Sequence, residues 1–241
     1  FFFFLVSFTF ACHGAAPGMK GTLPPDHTIW NELLKKHVSS AGIVDYKGFI
    51  QDKAQLDSYL KSISETAPDR DAWSKDEQMA YWINAYNAFT VKLIADNYPV
   101  ESIRDLGPSL KIPLIKDVWH YKFFKIGGQE SNLDEIEHGI LRKEFEEPRI
   151  HFAINCASVS CPPLLNEAFE ASKLNSQLNR VAKGFINDKT RNRITANQIE
   201  ISSIFSWFKG DFTKNGSLID FLNLYSNVEI NQNAKINHMD Y

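Results

Sequence analysis

The segment His151-Phe152-Ala153-Ile154-Asn155-Cys156-Ala157-Ser158-Val159-Ser160-Cys161-Pro162-Pro163 concentrates the side chains best suited to chemistry. A thiol becomes a nucleophile when its pKa is depressed and a base lies beside it. Cys156, with His151 or His138 as that base, is the candidate. Read as a strand, the segment puts His151, Ala153 and Asn155 on one face and Phe152, Ile154 and Cys156 on the other. Cys156 therefore meets an imidazole only if the chain turns at Asn155. The competing reading is a structural disulfide: four residues separate Cys156 from Cys161, a loop of suitable span in an exported chain. The disulfide is the leading expectation, ahead of the thiol nucleophile. Cys-x4-Cys is in any case a weaker redox signature than Cys-x-x-Cys.

Glu77 joins His138 and His151 as an acid–base candidate. Asn84, Asn87, Arg149 and Asn155 are candidate ligand contacts, with the alternative that asparagines on a buried helix clamp main-chain groups. Glu137 falls in the middle of an apolar helical arc and is expected to be buried against Arg142 or Arg149, because an unpaired charge there is costly. The acids and histidines lack the spacing that puts two imidazoles on one helix face, so no metal is predicted. A glycine-rich phosphate loop and a Gly-x-Ser-x-Gly elbow are both missing, and no cofactor is predicted. Lys plus Arg number 26 against 29 Asp plus Glu, a net charge of -3. With no basic block to track a phosphate backbone, nucleic acid is not an expected partner.

The elements that must position these residues are mostly helical. Ile29, Leu33, Leu34 and Val38 predict a helix from Thr28 that stops near Gly42, and Ile43–Tyr46 a short extended piece. Helical spacing resumes through Lys47–Ser64. Ser74-Lys75-Asp76-Glu77 is a capping box opening a helix to about Asn97 before Pro99. That helix is apolar nearly all round and so belongs in the core. Tyr121–Ile126 reads as a strand turning at Gly127-Gly128. A helix follows over about Asn132–Phe145, then a core strand over Ile150–Asn155. Leu174, Leu178, Val181 and Phe185 mark a helix to about Asp188, and residues 193–202 a hairpin around Ala196-Asn197. Short helices near Ile204–Phe212 and Leu218–Tyr225 close the chain, with Trp207, Phe208 and Phe212 expected as core aromatics.

Six of the 18 Phe lie in the first ten positions, with no charge before Lys20. This is the apolar region of an export signal. It starts without Met or a basic flank, so the leader reads as clipped. Cys12 follows Thr9-Phe10-Ala11 as a lipoprotein cysteine would, with cleavage after Ala16 as the alternative. Residues 1–16 are thus expected as a signal peptide or lipoprotein leader and 17–27 as a tether. The localisation implied is periplasmic or cell-surface, with lipid attachment at Cys12 as the only membrane contact.

The chain resembles the domain-of-unknown-function family 547, which occurs in exported bacterial proteins and in multidomain eukaryotic ones. The likeness rests on Gly42-Ile43-Val44-Asp45-Tyr46, on Glu77 through Ala88, on Leu133 through His138, on Pro148 through Ser158, and on Phe205-Ser206-Trp207-Phe208 with Asp211-Phe212. It runs from about Thr28 to the end, where relatives continue further, so the C-terminus also reads as clipped. The family supplies a fold relationship and no reaction. The fold class expected over 28–241 is a single, mostly helical α+β domain with a buried central helix packed on a small β-sheet. Whether it is an enzyme stays open. One expectation is a hydrolase or acyl transferase acting on an amide or ester in the cell envelope, through Cys156 and His or through acid–base groups. The other is a non-catalytic ligand-binding or scaffolding module with a Cys156–Cys161 disulfide, its partner a small molecule or an envelope peptide.

Overall fold

The Ser74 hydroxyl accepts from the Glu77 N–H, and the Glu77 carboxylate accepts from the Ser74 N–H at 2.7 Å, the reciprocal cap that starts helix α4, Lys75–Asp96. From Gln78 to Val91 every residue of this helix is buried. Around it the computed structural model describes residues 21–106, 117–158 and 160–239; the leader, with Cys12 and the Ala16 cleavage point, lies outside the described residues. Among the described residues no helix is long and apolar enough to cross a membrane.

Helices α1 (Thr28–His37), α2 (Tyr46–Gln51) and α3 (Lys53–Glu65) precede α4. The helix expected over 47–64 is broken at Asp52. Its carboxylate meets Lys36 Nζ and His37 Nε2, each at 2.6 Å, tying the break to the end of α1. Gly42, in the turn before α2, has φ +78°, and an added Cβ would sit 2.4 Å from Pro163 Cβ. Only glycine allows both that backbone and that approach. The turn therefore packs against the chain just beyond Cys161.

Strands β1 (Phe124–Ile126) and β2 (Gln129–Ser131) form an antiparallel hairpin through Gly127-Gly128. Phe124 stacks on Phe89 of α4 with ring centroids 3.8 Å apart, so the central helix does pack on a small sheet. A π-helix, Glu135–Leu141, runs into α5, Arg142–Glu144. After it come α6 (Leu174–Ile186), β3 (Arg193–Ile194), β4 (Gln198–Ser202), α7 (Ile204–Trp207), α8 (Lys209–Phe212), α9 (Leu218–Asn223) and β5 (Lys235–Met239). The hairpin β3–β4 is as predicted, but β5 adds to β4 in parallel. No local pattern marks β5, whose segment KINHM is polar and mostly exposed as an edge strand can be. Ile199 and Ile201 of β4 join Phe152, Phe185, Phe205, Phe212 and Phe221 in a second hydrophobic cluster.

Two expectations fail here. Residues 21–27 are fastened to the body rather than forming a tether: Gly21 N donates to Asp69 Oδ2 at 2.8 Å, Trp73 Nε1 to the Thr22 carbonyl at 2.7 Å, and His27 Nδ1 lies 2.8 Å from the Tyr59 hydroxyl. And Ile150–Asn155 is no strand. Pro148–Phe152 is a 3-10 turn, with Pro148 in its first turn and the Glu147 carboxylate accepting from Arg149 N. Those start signals outweigh an apolar run of that length. At three residues per turn, three consecutive buried side chains go three ways. Ile150 enters the main core, Phe152 the second cluster, and His151 the space between π-helix and α7.

Asn84 and Asn87, one turn apart on α4, hold what surrounds it. Asn84 Nδ2 donates to the Phe169 carbonyl at 2.8 Å and its Oδ1 accepts from Phe169 N at 3.0 Å. Asn87 Nδ2 donates to the Ala153 carbonyl and Oδ1 accepts from Asn155 N, both at 2.9 Å. Both are main-chain clamps. Asn87→Ala would leave a buried C=O and N–H unpaired, and is expected to destabilise the protein by about 2–4 kcal/mol. Chemical denaturation checks this; a loss below about 0.5 kcal/mol would mean that water replaces the clamp.

Candidate functional site

The turn at 148–152, the π-helix, the cysteine loop and α7 enclose a cleft of about 320 Å³. His151, His138, Glu137 and Cys156 all line it, together with Tyr86, Trp119 and Trp207. The chain does turn at Asn155, as a meeting of histidine and cysteine on one site requires.

His151 is 3% exposed. Its Nε2 lies 2.8 Å from Asp211 Oδ2, and its ring stacks on Phe208 with centroids 3.9 Å apart. Asp211 also accepts from Arg142 Nε at 2.7 Å and NH2 at 3.2 Å. The hydrogen bond from His151, with the Arg142 pair behind it, holds the Asp211 carboxyl far below the usual carboxylate range. Burial pushes His151 below the ordinary imidazole value, against the upward pull of Asp211. A neutral imidazole donating Nε2–H to an ionised Asp211 carries its lone pair on Nδ1. Nδ1 is buried and, among the described residues, has no hydrogen-bond partner.

The π-helix supplies Glu137 and His138. Arg142 N donates back to the Glu137 carbonyl, an i to i+5 bond that opens the turn. Glu137 was expected against Arg142 or Arg149. Instead Arg142 is taken by Asp211, and Arg149 by Glu147, with Nε to Oε1 at 2.7 Å. Among the described residues Glu137 receives only the Tyr86 hydroxyl, at 3.3 Å. Burial raises its carboxyl to about 7, with the Tyr86 hydrogen bond and the Arg142 charge only partly opposing. His138 Nδ1 accepts from Arg142 NH1 at 3.0 Å, and Nε2 faces Asp134 Oδ1 at 3.6 Å. Arg142 can only donate, so His138 is neutral in this arrangement, in keeping with the lowering that burial imposes. His120 bonds Asp117 through Nδ1 at 2.7 Å and faces Asp134 through Nε2 at 3.5 Å.

Cys156 and Cys161, with Cα atoms 6.0 Å apart, are a pair placed to form a disulfide, and both line the cleft wall. Asn155 folds over the loop: Nδ2 donates to the Pro162 carbonyl at 2.8 Å and Oδ1 accepts from Ala157 N at 2.9 Å. Its side chain is thus spent on the main chain. Ala157 takes φ +57° to make the turn.

Other expected site residues lie elsewhere. Glu77 is committed to its cap and borders a different pocket, beside Pro24 and His27. The Asn84 side chain bonds Phe169, and Arg149 reaches Asn175 and Asn179 on α6. Trp207 is not a core aromatic, being 55% exposed at the cleft. Asp211, Asp134, Asp117 and His120 were missed. Asp211 carried one usable signal, an acid set between Phe208 and Phe212 in a segment expected to be buried. Among the described residues no three His, Cys, Asp or Glu side chains are grouped to hold a metal ion.

Comparison with curated proteins and with solved structures gives no match. A family does match, over residues 70–186, a stretch that contains α4, the π-helix, the 148–152 turn and the cysteine loop and ends with α6. Its description is "Protein of unknown function, DUF547", and the chain carries a DUF547 domain.

Proposed function

We propose that the cleft is a hydrolytic or acyl-transfer site for an amide or ester, working by acid–base chemistry. The observation that carries this is a carboxyl held near neutrality, Glu137, in the same cleft as an imidazole whose one free nitrogen is unpartnered. Cys161 lies where it can take the Cys156 sulfur into a disulfide, and Cys156 so paired offers no thiolate, which favours the acid–base form. His151 Nδ1 takes the proton of a water or hydroxyl as its oxygen attacks the acyl carbon. Asp211 stabilises the imidazolium so formed. Protonated Glu137 gives its proton to the leaving nitrogen or oxygen as that bond breaks, and a proton returning from His151 through solvent restores both groups. The apolar leader and Cys12 fit an exported, lipid-attached protein, so envelope peptides or small acylated molecules are the substrates we infer.

A non-catalytic ligand-binding module is the alternative, favoured by the mutual saturation of Asp211, Arg142 and His138. A panel of p-nitrophenyl esters and peptide anilides separates the two. Turnover is expected to fall above about pH 7 as Glu137 ionises, and to rise below the ordinary imidazole range as His151 loses its proton. Glu137→Gln is expected to cost roughly 10²-fold or more in kcat/KM and to remove the alkaline fall. Binding without turnover across the panel would favour the alternative.

A stability measurement tests Glu137 without any substrate. Its carboxyl is raised from 4.5 to about 7 on folding. The native state therefore binds the extra proton in that window, and stability present below 4.5 is lost as pH rises through 7. Gln has no such dependence. The Tm of Glu137→Gln minus that of the wild type should therefore grow between pH 5 and pH 8. A flat difference would show that the carboxyl titrates as if in water.

A further inference from the structure

We propose that the Cys156–Cys161 disulfide is exchangeable, and that the cleft admits a small cysteinyl thiol which attacks Cys156. Three observations carry this. The first is position and asymmetry: both cysteines line the cleft, but Cys156 is half-buried while Cys161 is 2% exposed. With Cys156 the more open residue, an incoming thiolate is expected to reach its sulfur first, and access decides which sulfur is attacked.

The second is that the loop does not need the bond. Asn155 Nδ2 to the Pro162 carbonyl joins the residues that flank the two cysteines. Asn155 N is held by Asn87, and Cys161 N donates to the Ser158 carbonyl at 3.1 Å. Beyond the loop, Pro163 seats against Gly42. A brace over a loop already closed by hydrogen bonds adds little constraint, and its opening leaves the frame standing.

The third is the leaving group. The Cys156 N–H donates to Cys161 Sγ at 3.3 Å, and Arg191 Nε holds the Cys161 carbonyl at 3.2 Å. An amide N–H directed at a sulfur favours its thiolate, and a better-stabilised thiolate leaves faster. The thiolate forms an S–S bond to Cys156 Sγ, the Cys156–Cys161 bond breaks, and its electron pair goes to Cys161. A second thiolate then attacks the mixed disulfide and releases the oxidised small disulfide, leaving Cys156 as a thiol after protonation. Two small thiols are oxidised and one protein disulfide is reduced. In reverse, the Cys161 thiolate resolves an adduct on Cys156.

Glutathione is the probe. Native protein is equilibrated without denaturant over a range of reduced to oxidised glutathione, quenched with acid, alkylated and weighed intact. The oxidised fraction is expected to follow the ratio, and the reduced protein to keep its cooperative melting transition. Cys161→Ser is expected to hold glutathione on Cys156 at least about tenfold faster than Cys156→Ser holds it on Cys161. Should Cys161→Ser not fold, peptide mapping of the acid-quenched wild type still identifies which sulfur carries glutathione. Reduction that requires denaturant, reduction that unfolds the protein, or equal labelling of the two sulfurs would overturn the proposal.

Discussion

An amide side chain on a helix without a solvent face finds its partners inside the protein or goes without, as Gln78 Oε1 does among the described residues, and the rest of this structure depends on the two asparagines of α4 that find them. Asn87 spends both ends of its amide on the main chain at Ala153 and Asn155. Those two groups bracket the point where the 148–152 turn gives way to the cysteine loop. One side chain thus fixes the exit of the turn that presents His151 and the entry of the loop that carries Cys156. Asn84 does the same for Phe169 one turn earlier. Because a lost pair strands two buried backbone groups as well as the amide, these contacts specify position more sharply than the apolar packing around them, which tolerates small shifts.

The charges in the cleft follow from where Arg142 spends its guanidinium. Arg142 bonds Asp211 and His138 and acts on Glu137 only through its charge, and its planar fork best matches Asp211, which it meets with two nitrogens. Asp211 so paired is firmly ionised and draws the Nε2–H of His151. Glu137, left with a tyrosine hydroxyl and a low-dielectric setting, is the group that holds its proton. The same pairing thus yields an anchored imidazole with a bare nitrogen and a carboxyl near neutrality, two groups whose environments push them toward opposite roles.

Much of this was legible where local chemistry decides. The cap at Ser74 and Glu77, the burial of α4, the inward Leu133, Ile136, Ile140 and Leu141, and the β3–β4 hairpin are all set within a few residues. What failed needed partners distant in sequence. Glu77 looked like a spare acid because its cap and a site carboxylate use the same residue type. Ile150–Asn155 looked like a strand because the weight of Pro148 and Glu147 at its start was not counted. Asp211 lies 60 residues from His151, and nothing local couples them. Trp207 looked like core for want of any sequence sign that the chain opens a cleft there.

The π-helix explains why Glu137 was placed on the correct side but given the wrong partner. Counting 100° per residue puts Glu137 inward, one turn from Leu133 and Leu141, and assumes the i to i+4 register of an α-helix throughout. Widening the turn to an i to i+5 bond puts the Arg142 backbone, rather than that of Leu141, over the Glu137 carbonyl. Leu133, Ile136, Ile140 and Leu141 stay in the core, while Glu137 and His138 both reach the cleft. A regular helix would give the Glu137 carbonyl to the Leu141 N–H and would rotate the residues beyond it, Arg142 included, relative to Glu137 and His138. The poorer hydrogen-bond geometry of the wide turn goes with an apolar face kept buried while two titratable groups share the site.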